Sequence, residues 1–168
     1  MADTIVSQTI IKNGALVIDN WQIIGKDVTS IPAGGHLILP LALWLKESDT
    51  SNKRNDIAVW FDSEDSPTAE IASALQKLPL IAVNFPVFTD GRGFSIARLL
   101  RERFNYKGEL RAIGYVLRDQ LCFMKRCGFN SFDLHENTDV KAALESLNDF
   151  TEYYQTSVDQ PQPLFRRS

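Results

Sequence analysis

Four short runs of β-forming residues repeat from residue 57 onward, each followed by a turn and by apolar residues at helical spacing. The runs are Ile57–Phe61, Leu80–Phe85, Leu110–Gly114 and Ser131–Leu134. They are too short and too continuously apolar to be independent helices, which is typical of buried parallel strands. Their starts lie roughly 20 to 30 residues apart, a spacing that suits crossover connections and not hairpins.

The segments between these runs predict four helices, beginning near residues 67, 95, 118 and 138. The first, Pro67–Leu78, follows Ser66 as an N-cap. The second turns Ile96, Leu99 and Leu100 toward the sheet and leaves Arg98 and Arg101 on the solvent side. The third ends at Gly128, and the fourth carries an apolar stripe as far as Tyr154.

Before residue 57 the pattern is looser. Alternating residues around Asp19-Asn20 predict a β-hairpin over residues 14–25, with that pair as its turn. A turn at 32–35, a short strand and a helical start after Pro40 follow. Residues 156–168, with Pro161 and Pro163, predict a tail. The chain is therefore divided into an N-terminal hairpin and connector (1–56), β/α repeats (57–155) and a C-terminal tail (156–168).

Four β/α units predict an α/β fold with a mostly parallel sheet. The sheet is either half of a (β/α)8 barrel or open and twisted, and in both cases ligands meet the C-terminal ends of the strands. A half-barrel exposes two strand edges, which the N-terminal segment or a second copy must cover. We therefore expect a homodimer.

The composition fits one ordinary globular domain: of 168 residues, 44% are hydrophobic and 23% charged. A net charge of −3 argues against a surface dedicated to nucleic acid. The N-terminus lacks the pattern of a signal peptide, and the longest apolar stretch, Leu37–Leu45, is too short to span a bilayer. We expect a cytoplasmic protein with no membrane segment.

The turn before the second helix carries the sharpest chemical signal. Gly91 and Gly93 permit close backbone approach, Arg92 adds a fork of donors, and the helix beginning near Ser95 offers free N–H groups. From Arg92 to Arg118 the chain has seven basic residues against two acidic ones. This pattern predicts an anion site whose partner is a phosphate, a sulfur oxyanion, a nucleotide or an acidic protein face; the alternative is a turn that uses glycine only for its geometry.

The neighbouring loops supply further candidates. Arg118 is the second cation for an anion, and Asp90, Asp119 and His135 are the candidate catalytic residues, with His135 as general acid or base. The structural alternatives are an Asp90 that caps the turn, an Asp119 in a first helical turn and an exposed loop histidine. Cys122 and Cys127 lie about 140° apart around the third helix, and no metal-binding motif is present, so no metal is expected. No cofactor motif is present either, which leaves flavin and nicotinamide open.

Segments across nearly the whole chain resemble the bacterial Domain of Unknown Function 934 (DUF934) family. The matching segments are residues 89–93, 97–103, 108–112, 117–121, 126–129 and 164–167, together with Gly14, Trp21 and 32–35 near the start. Where the family usually has an acidic residue after the glycine of the third strand, this chain has Tyr115.

The resemblance implies a role in assimilatory sulfite reduction, because members are typically encoded beside sulfite reductase and are often named oxidoreductases. It carries no established catalytic residues. We expect an accessory or oxidoreductase-like protein, with sulfite reductase as partner and an anion-binding rim at the strand ends. The alternative is a non-catalytic anion or nucleotide sensor that acts by changing its assembly or its partner.

Overall fold

The structure is a computed structural model that describes residues 8–51, 53–87, 90–135 and 138–149. These residues form an α/β fold with one eight-stranded sheet and six α-helices. The strands are β1 (Gln8–Lys12), β2 (Ala15–Asp19), β3 (Trp21–Ile23), β4 (His36–Pro40), β5 (Ile57–Phe61), β6 (Leu80–Phe85), β7 (Glu109–Gly114) and β8 (Ser131–Phe132). The helices are α1 (Leu41–Lys46), α2 (Ser48–Ser51), α3 (Ala72–Leu75), α4 (Arg92–Arg98), α5 (Leu121–Cys127) and α6 (Val140–Asp149). A π-helical turn, Leu99–Arg103, continues α4, and a 3-10 turn, Arg118–Gln120, precedes α5.

The strand order is β2-β1-β8-β7-β6-β5-β4-β3. From β3 to β8 the strands are parallel and neighbour one another in chain order. The β1–β2 hairpin pairs antiparallel with the β8 edge. The N-terminal segment therefore covers one edge of the parallel sheet, as one of the sequence alternatives proposed.

The sheet is curled into a half-barrel, and the connection between its two outermost strands shows why. β2 and β3 lie at opposite edges of the order, yet Asn20 alone joins them. In a flat sheet the two edges would be about 33 Å apart. A single linking residue spans only about 7 Å, so the edges must approach each other at this corner. Of the two predicted sheet shapes, the half-barrel is confirmed.

The apolar runs predicted as strands are buried on both faces, which explains their continuous hydrophobicity. β5 and β6 have the predicted bounds, β7 begins one residue earlier, and β8 is two residues shorter. On β5, Val59 and Phe61 pack in the core under the helices, whereas Ala58 and Trp60 belong to a smaller cluster on the inner face.

The predicted N-terminal hairpin was wrong in its turn. The hairpin is β1–β2, and its turn is Asn13-Gly14, with φ of +52° and +77°. Both values are positive, as a type I′ turn requires, and Asn-Gly is the pair that adopts them most readily. Asp19, taken as a turn residue, instead ends β2.

The helical predictions need three corrections. The first helix covers only Ala72–Leu75 of the predicted 67–78, and the second begins at Arg92 and not near Ser95. The predicted strand and helical start before residue 46 form a complete fifth β/α unit, β4–α1, so four units was too few. The third helix ends at Cys127, directly before Gly128, as predicted. Tyr154 and the tail over 156–168 lie outside the described residues.

Candidate functional site

The C-terminal ends of β5 to β8 form the rim where the sequence placed its candidate residues. At the turn before α4, the Asp90 carboxylate accepts hydrogen bonds from the Arg92 backbone N–H (3.0 Å), Nε (3.0 Å) and Nη2 (2.8 Å). These bonds hold the pKa of Asp90 well below its usual range. The Asp90 carboxylate therefore already accepts a hydrogen bond from the first free N–H of α4 and already pairs with the Arg92 guanidinium.

The two glycines of this turn differ in role. A Cβ on Gly93 would lie 2.6 Å from Cε1 of Phe85, so this position requires glycine to let α4 pack on β6. Gly91 and Ser95 are exposed, and a Cβ on Gly91 would meet nothing closer than 3.9 Å. Gly93 thus has a packing role whether or not the turn binds a ligand.

A second polar cluster lies beside this turn, at the ends of β5 and β6. Asp62 contacts Lys26 Nζ at 2.5 Å and accepts a hydrogen bond from Asn84 Nδ2 at 3.2 Å. Although burial raises the pKa of Asp62, the hydrogen bonds from Lys26, Ser63 and Asn84 lower it below its ordinary value. Lys26 also pairs with Glu64 at 3.3 Å. This part of the rim is therefore rich in carboxylates.

The remaining predicted residues lie on the next two loops of the rim. Arg118 Nε donates to Ser146 Oγ on α6 at 2.6 Å, and Asp119 is exposed in the 3-10 turn. The His135 ring stacks on Tyr115, with centroids 4.3 Å apart and planes 17° apart. The structure thus brings together Asp90 with Arg92 and Tyr115 with His135, while Arg118 has a partner of its own.

Arg101 corrects the predicted outer face of the second helix. Its Nε donates to Gly128 O (2.9 Å), and its Nη1 donates to Tyr106 O (2.7 Å) and Gly108 O (2.9 Å). Burial lowers the pKa of this guanidinium. The Arg101 side chain therefore links the loop carbonyls of Tyr106, Gly108 and Gly128 and is not a solvated charge. Arg98 is exposed, as predicted.

A polar layer that the sequence interpretation missed lies inside the half-barrel. Arg111 on β7, only 2% exposed, pairs with Glu109 (Nη2 to Oε2, 2.8 Å) and with Asp19 of β2 (Nη1 to Oδ1, 3.0 Å). Its Nε donates to Ser131 Oγ at 3.2 Å. Glu109 also pairs with Lys12 at 2.9 Å.

One sequence signal could have found this inner polar layer. Glu109 and Arg111 are two residues apart in an otherwise apolar strand, which places both on one face of β7. Charges on a buried strand need partners, so this spacing indicates an internal ion-pair network.

Asp133 belongs to the same interior and provides a pH-dependent prediction. Burial and the nearby Asp19 raise its pKa to about 6, although Arg111 opposes the rise. Because the folded state holds this proton more tightly than the unfolded state, ionisation of Asp133 penalises folding as the pH rises from about 4 to 6. Asp133→Asn cannot ionise, so its stability relative to wild type should increase by about 1–3 kcal/mol between pH 4 and pH 7.

Urea denaturation of both proteins across that pH range checks the prediction. A difference in unfolding free energy that stays constant with pH would contradict it. A difference that grows between pH 4 and 7 would identify Asp133 as a carboxyl that the fold prefers neutral.

The geometry defines a class: an α/β protein with a curled, mostly parallel sheet, a polar rim at the strand ends and an ion-pair layer inside. Residues 58–165 match the family described as bacterial protein of unknown function, DUF934. The chain therefore belongs to the DUF934 family, and the expected membership is confirmed. No curated protein and no solved structure matches the chain.

Two further observations bear on possible ligands and partners. Within the described ranges, no group of three His, Cys, Asp or Glu side chains could hold a metal ion. Nor does that part of the chain contain a helix with the length and hydrophobicity to cross a membrane.

Proposed function

We propose that this protein is an accessory protein of assimilatory sulfite reduction that binds a small oxyanion such as sulfite at the C-terminal rim. Arg92 and Arg118 are the proposed cations, with Gly91 and Ser95 at the turn. The family resemblance supports the pathway, since members are typically encoded beside sulfite reductase. Sulfite reductase is accordingly the proposed partner.

The bidentate pair between Arg92 and Asp90 is the observation that carries the anion proposal. Arg92 is 63% exposed while its partner carboxylate is 9% exposed. Arg92 Nε and Nη2, two of the five N–H donors of the guanidinium, each donate to one oxygen of the Asp90 carboxylate. Oxyanions bind arginine in the same two-pronged arrangement. The carboxylate therefore acts as an internal competitor, which an external oxyanion displaces from Arg92.

Arg118, the second proposed cation, follows the strand next to the one that Arg92 follows. Arg92 and Arg118 follow β6 and β7, which are adjacent parallel strands about 4.8 Å apart. Their side chains are both exposed. In this proposal, an anion that displaces Asp90 from Arg92 also binds Arg118.

Removing the competing charge should strengthen anion binding. For Asp90→Asn we expect sulfite affinity to rise about tenfold over wild type, because the neutral amide competes poorly for the guanidinium. Arg92→Ala should abolish binding. Isothermal titration with sulfite and with sulfate measures both effects.

The matched control is Arg98→Ala, which removes an exposed charge from the same helix and should leave binding unchanged. If Asp90→Asn and Arg92→Ala leave sulfite binding unaltered, or if wild type and Asp90→Asn both fail to bind, the turn serves the fold alone. A pull-down of sulfite reductase by wild type but not by Arg92→Ala would support the partnership.

An oxidoreductase role is the catalytic form of the same proposal. It requires redox chemistry from a bound flavin, a nicotinamide or a partner's cluster, because protein side chains do not supply hydride or one-electron chemistry of this kind. A flavin band in the absorbance spectrum of the purified protein, or sulfite-dependent oxidation of added NADPH, would support the oxidoreductase form; sulfite binding without either supports the accessory role.

An anion sensor that changes its assembly is the second candidate, favoured by the exposed edge strand β2. Leu16 and Ile18 on this strand are 38% and 69% exposed, no other strand of the described residues pairs with its outer edge, and such an edge is a template for pairing with a second copy. The native mass, measured with and without sulfite during the same titrations, tests this candidate. A sulfite-dependent dimer supports it, and a mass unaffected by sulfite contradicts it.

A further inference from the structure

A cavity of about 300 Å³ opens at the C-terminal ends of β3, β4 and β5. Its lining comes from the segment after β3, from the end of β4 with the start of α1, and from the loop after β5. Parallel α/β sheets bind ligands at this end of their strands. None of the residues proposed for sulfite binding lines the cavity. It is therefore a separate candidate site on the same rim.

Apolar side chains form one part of the lining. Pro40, Leu41 and Leu43 are buried, whereas Val28 is half-buried and Ala42 is exposed. A ligand with an apolar body would remove the exposed part of this surface from water, which is favourable. The cavity therefore favours a ligand that is not wholly polar.

Two charged side chains of the lining form no ion pair with any of the described residues. Lys46 Nζ donates to the backbone oxygen of Thr29 at 3.2 Å, and since an ammonium has three N–H donors, two remain for a ligand. Asp65 Oδ2 accepts a hydrogen bond from the backbone N–H of Asp62 at 2.8 Å, which leaves Oδ1 for a ligand. The cavity thus offers one cation and one carboxylate whose charges are not neutralised.

The remaining charged residue of the lining is already neutralised. Lys26 Nζ contacts Asp62 at 2.5 Å and Glu64 at 3.3 Å. A ligand with only a carboxylate would gain Lys46 but would also approach Asp65. A ligand with only an amine would gain Asp65 but would also approach both lysines. A zwitterion avoids each conflict, because each of its charges meets the opposite charge.

We propose that this cavity binds a free α-amino acid with a medium-sized apolar side chain. The carboxylate of the amino acid pairs with Lys46, its ammonium pairs with Asp65, and its side chain covers the apolar part of the lining. Lys46 is exposed and has a flexible stem, which lets its ammonium follow the ligand. The proposal goes beyond sulfite binding and does not depend on it.

L-leucine and its two single-charge analogues are matched probes. Isocaproate lacks the ammonium, isoamylamine lacks the carboxylate, and both keep the side chain. In two-dimensional ¹H–¹⁵N spectra, L-leucine should shift the backbone amide signals of Val28 and Ala42 in a saturable manner. Each analogue should bind at least about tenfold more weakly, because one charged group of the cavity stays unpaired. Glycine, which keeps both charges but lacks the side chain, should also bind more weakly.

Two results with these probes would overturn the proposal. One is the absence of a saturable shift with L-leucine. The other is an analogue, or glycine, that binds as tightly as L-leucine.

Two variants test the assignment of the charges. Lys46→Gln and Asp65→Asn each remove one charge, and asparagine keeps an oxygen that can accept from Asp62. Each variant should weaken L-leucine binding at least about tenfold. The advantage of L-leucine over isoamylamine should disappear in Lys46→Gln, and its advantage over isocaproate should disappear in Asp65→Asn. Unchanged discrimination in both variants would contradict the assignment.

Lys77→Gln is the matched control, since it removes an exposed lysine outside the cavity and should leave L-leucine binding unchanged. Arg92→Ala, which tests the sulfite proposal, should also leave L-leucine binding unchanged. Equal losses in Lys46→Gln and Lys77→Gln would refute the location of the site.

Discussion

Arg111→Met is expected to lower the unfolding free energy by about 3–5 kcal/mol. Methionine keeps most of the packing volume but removes the cation of Asp19, which is 8% exposed, and leaves Glu109, 7% exposed, with only the half-exposed Lys12 as partner. An uncompensated buried carboxylate is far more costly than the loss of the attraction alone. Urea denaturation at pH 7, with a constant denaturant slope, measures the change.

Two controls distinguish this mechanism from a general packing defect. Lys12→Met removes a cation that is 44% exposed, so its loss should cost no more than about 1 kcal/mol. Adding Glu109→Leu to Arg111→Met should recover part of the stability, because it removes one of the two buried carboxylates that Arg111 paired with. A double variant less stable than Arg111→Met would refute the charge explanation.

Gly114→Ala should destabilise the protein by about 3 kcal/mol. Gly114 ends β7 with φ of +86°, a conformation that alanine adopts at a cost. A Cβ there would also lie 2.4 Å from Asn84 Oδ1 and 2.5 Å from the backbone oxygen of Phe85. Because one of these neighbours is backbone, the strand itself would have to move. Thermal and urea denaturation measure the loss.

Gly91→Ala is the matched control on the same rim. Its φ is −88°, and the atom nearest to the added Cβ would be 3.9 Å away. We expect a change within about 0.5 kcal/mol. Equal losses for the two variants would mean that the backbone conformation at Gly114 does not set the geometry of the β7–α5 loop.

The central strands could be predicted because their burial is dictated locally. Apolar residues occupy both faces of these strands: Ile57 and Val59 lie in the core under the helices, and Leu80 lies in the inner cluster. Only a sheet covered on both sides satisfies such a run. The limits of short helices were less predictable. The apolar pattern over residues 67–78 predicted a helix of that length, but only one turn of it, α3, is helical. The hairpin turn at Asn13-Gly14 was predictable in principle, because Asn-Gly is the typical pair for such a turn. The turn was instead predicted at Asp19-Asn20 because apolar residues alternate around that pair.

The candidate site was likewise only partly predictable from the sequence. The sequence placed Asp90, Arg92 and Arg118 on neighbouring loops, because parallel strands deliver their following loops to one rim. It could not tell that Asp90 pairs with Arg92 in place of a ligand, since local spacing permits both arrangements. Nor could it pair Arg111 with Asp19, which is far away along the chain.

What the sequence determined by itself is the α/β class, the parallel strands, the absence of a recognisable metal or cofactor motif and the membership of a family. These properties follow from residue type and short-range periodicity. Only the tertiary structure decided that the sheet curls, because Asn20 must join two opposite edges. The same curl encloses Arg111 with Glu109 and Asp19, since burial in a low-dielectric interior makes partners of charges that the chain keeps far apart.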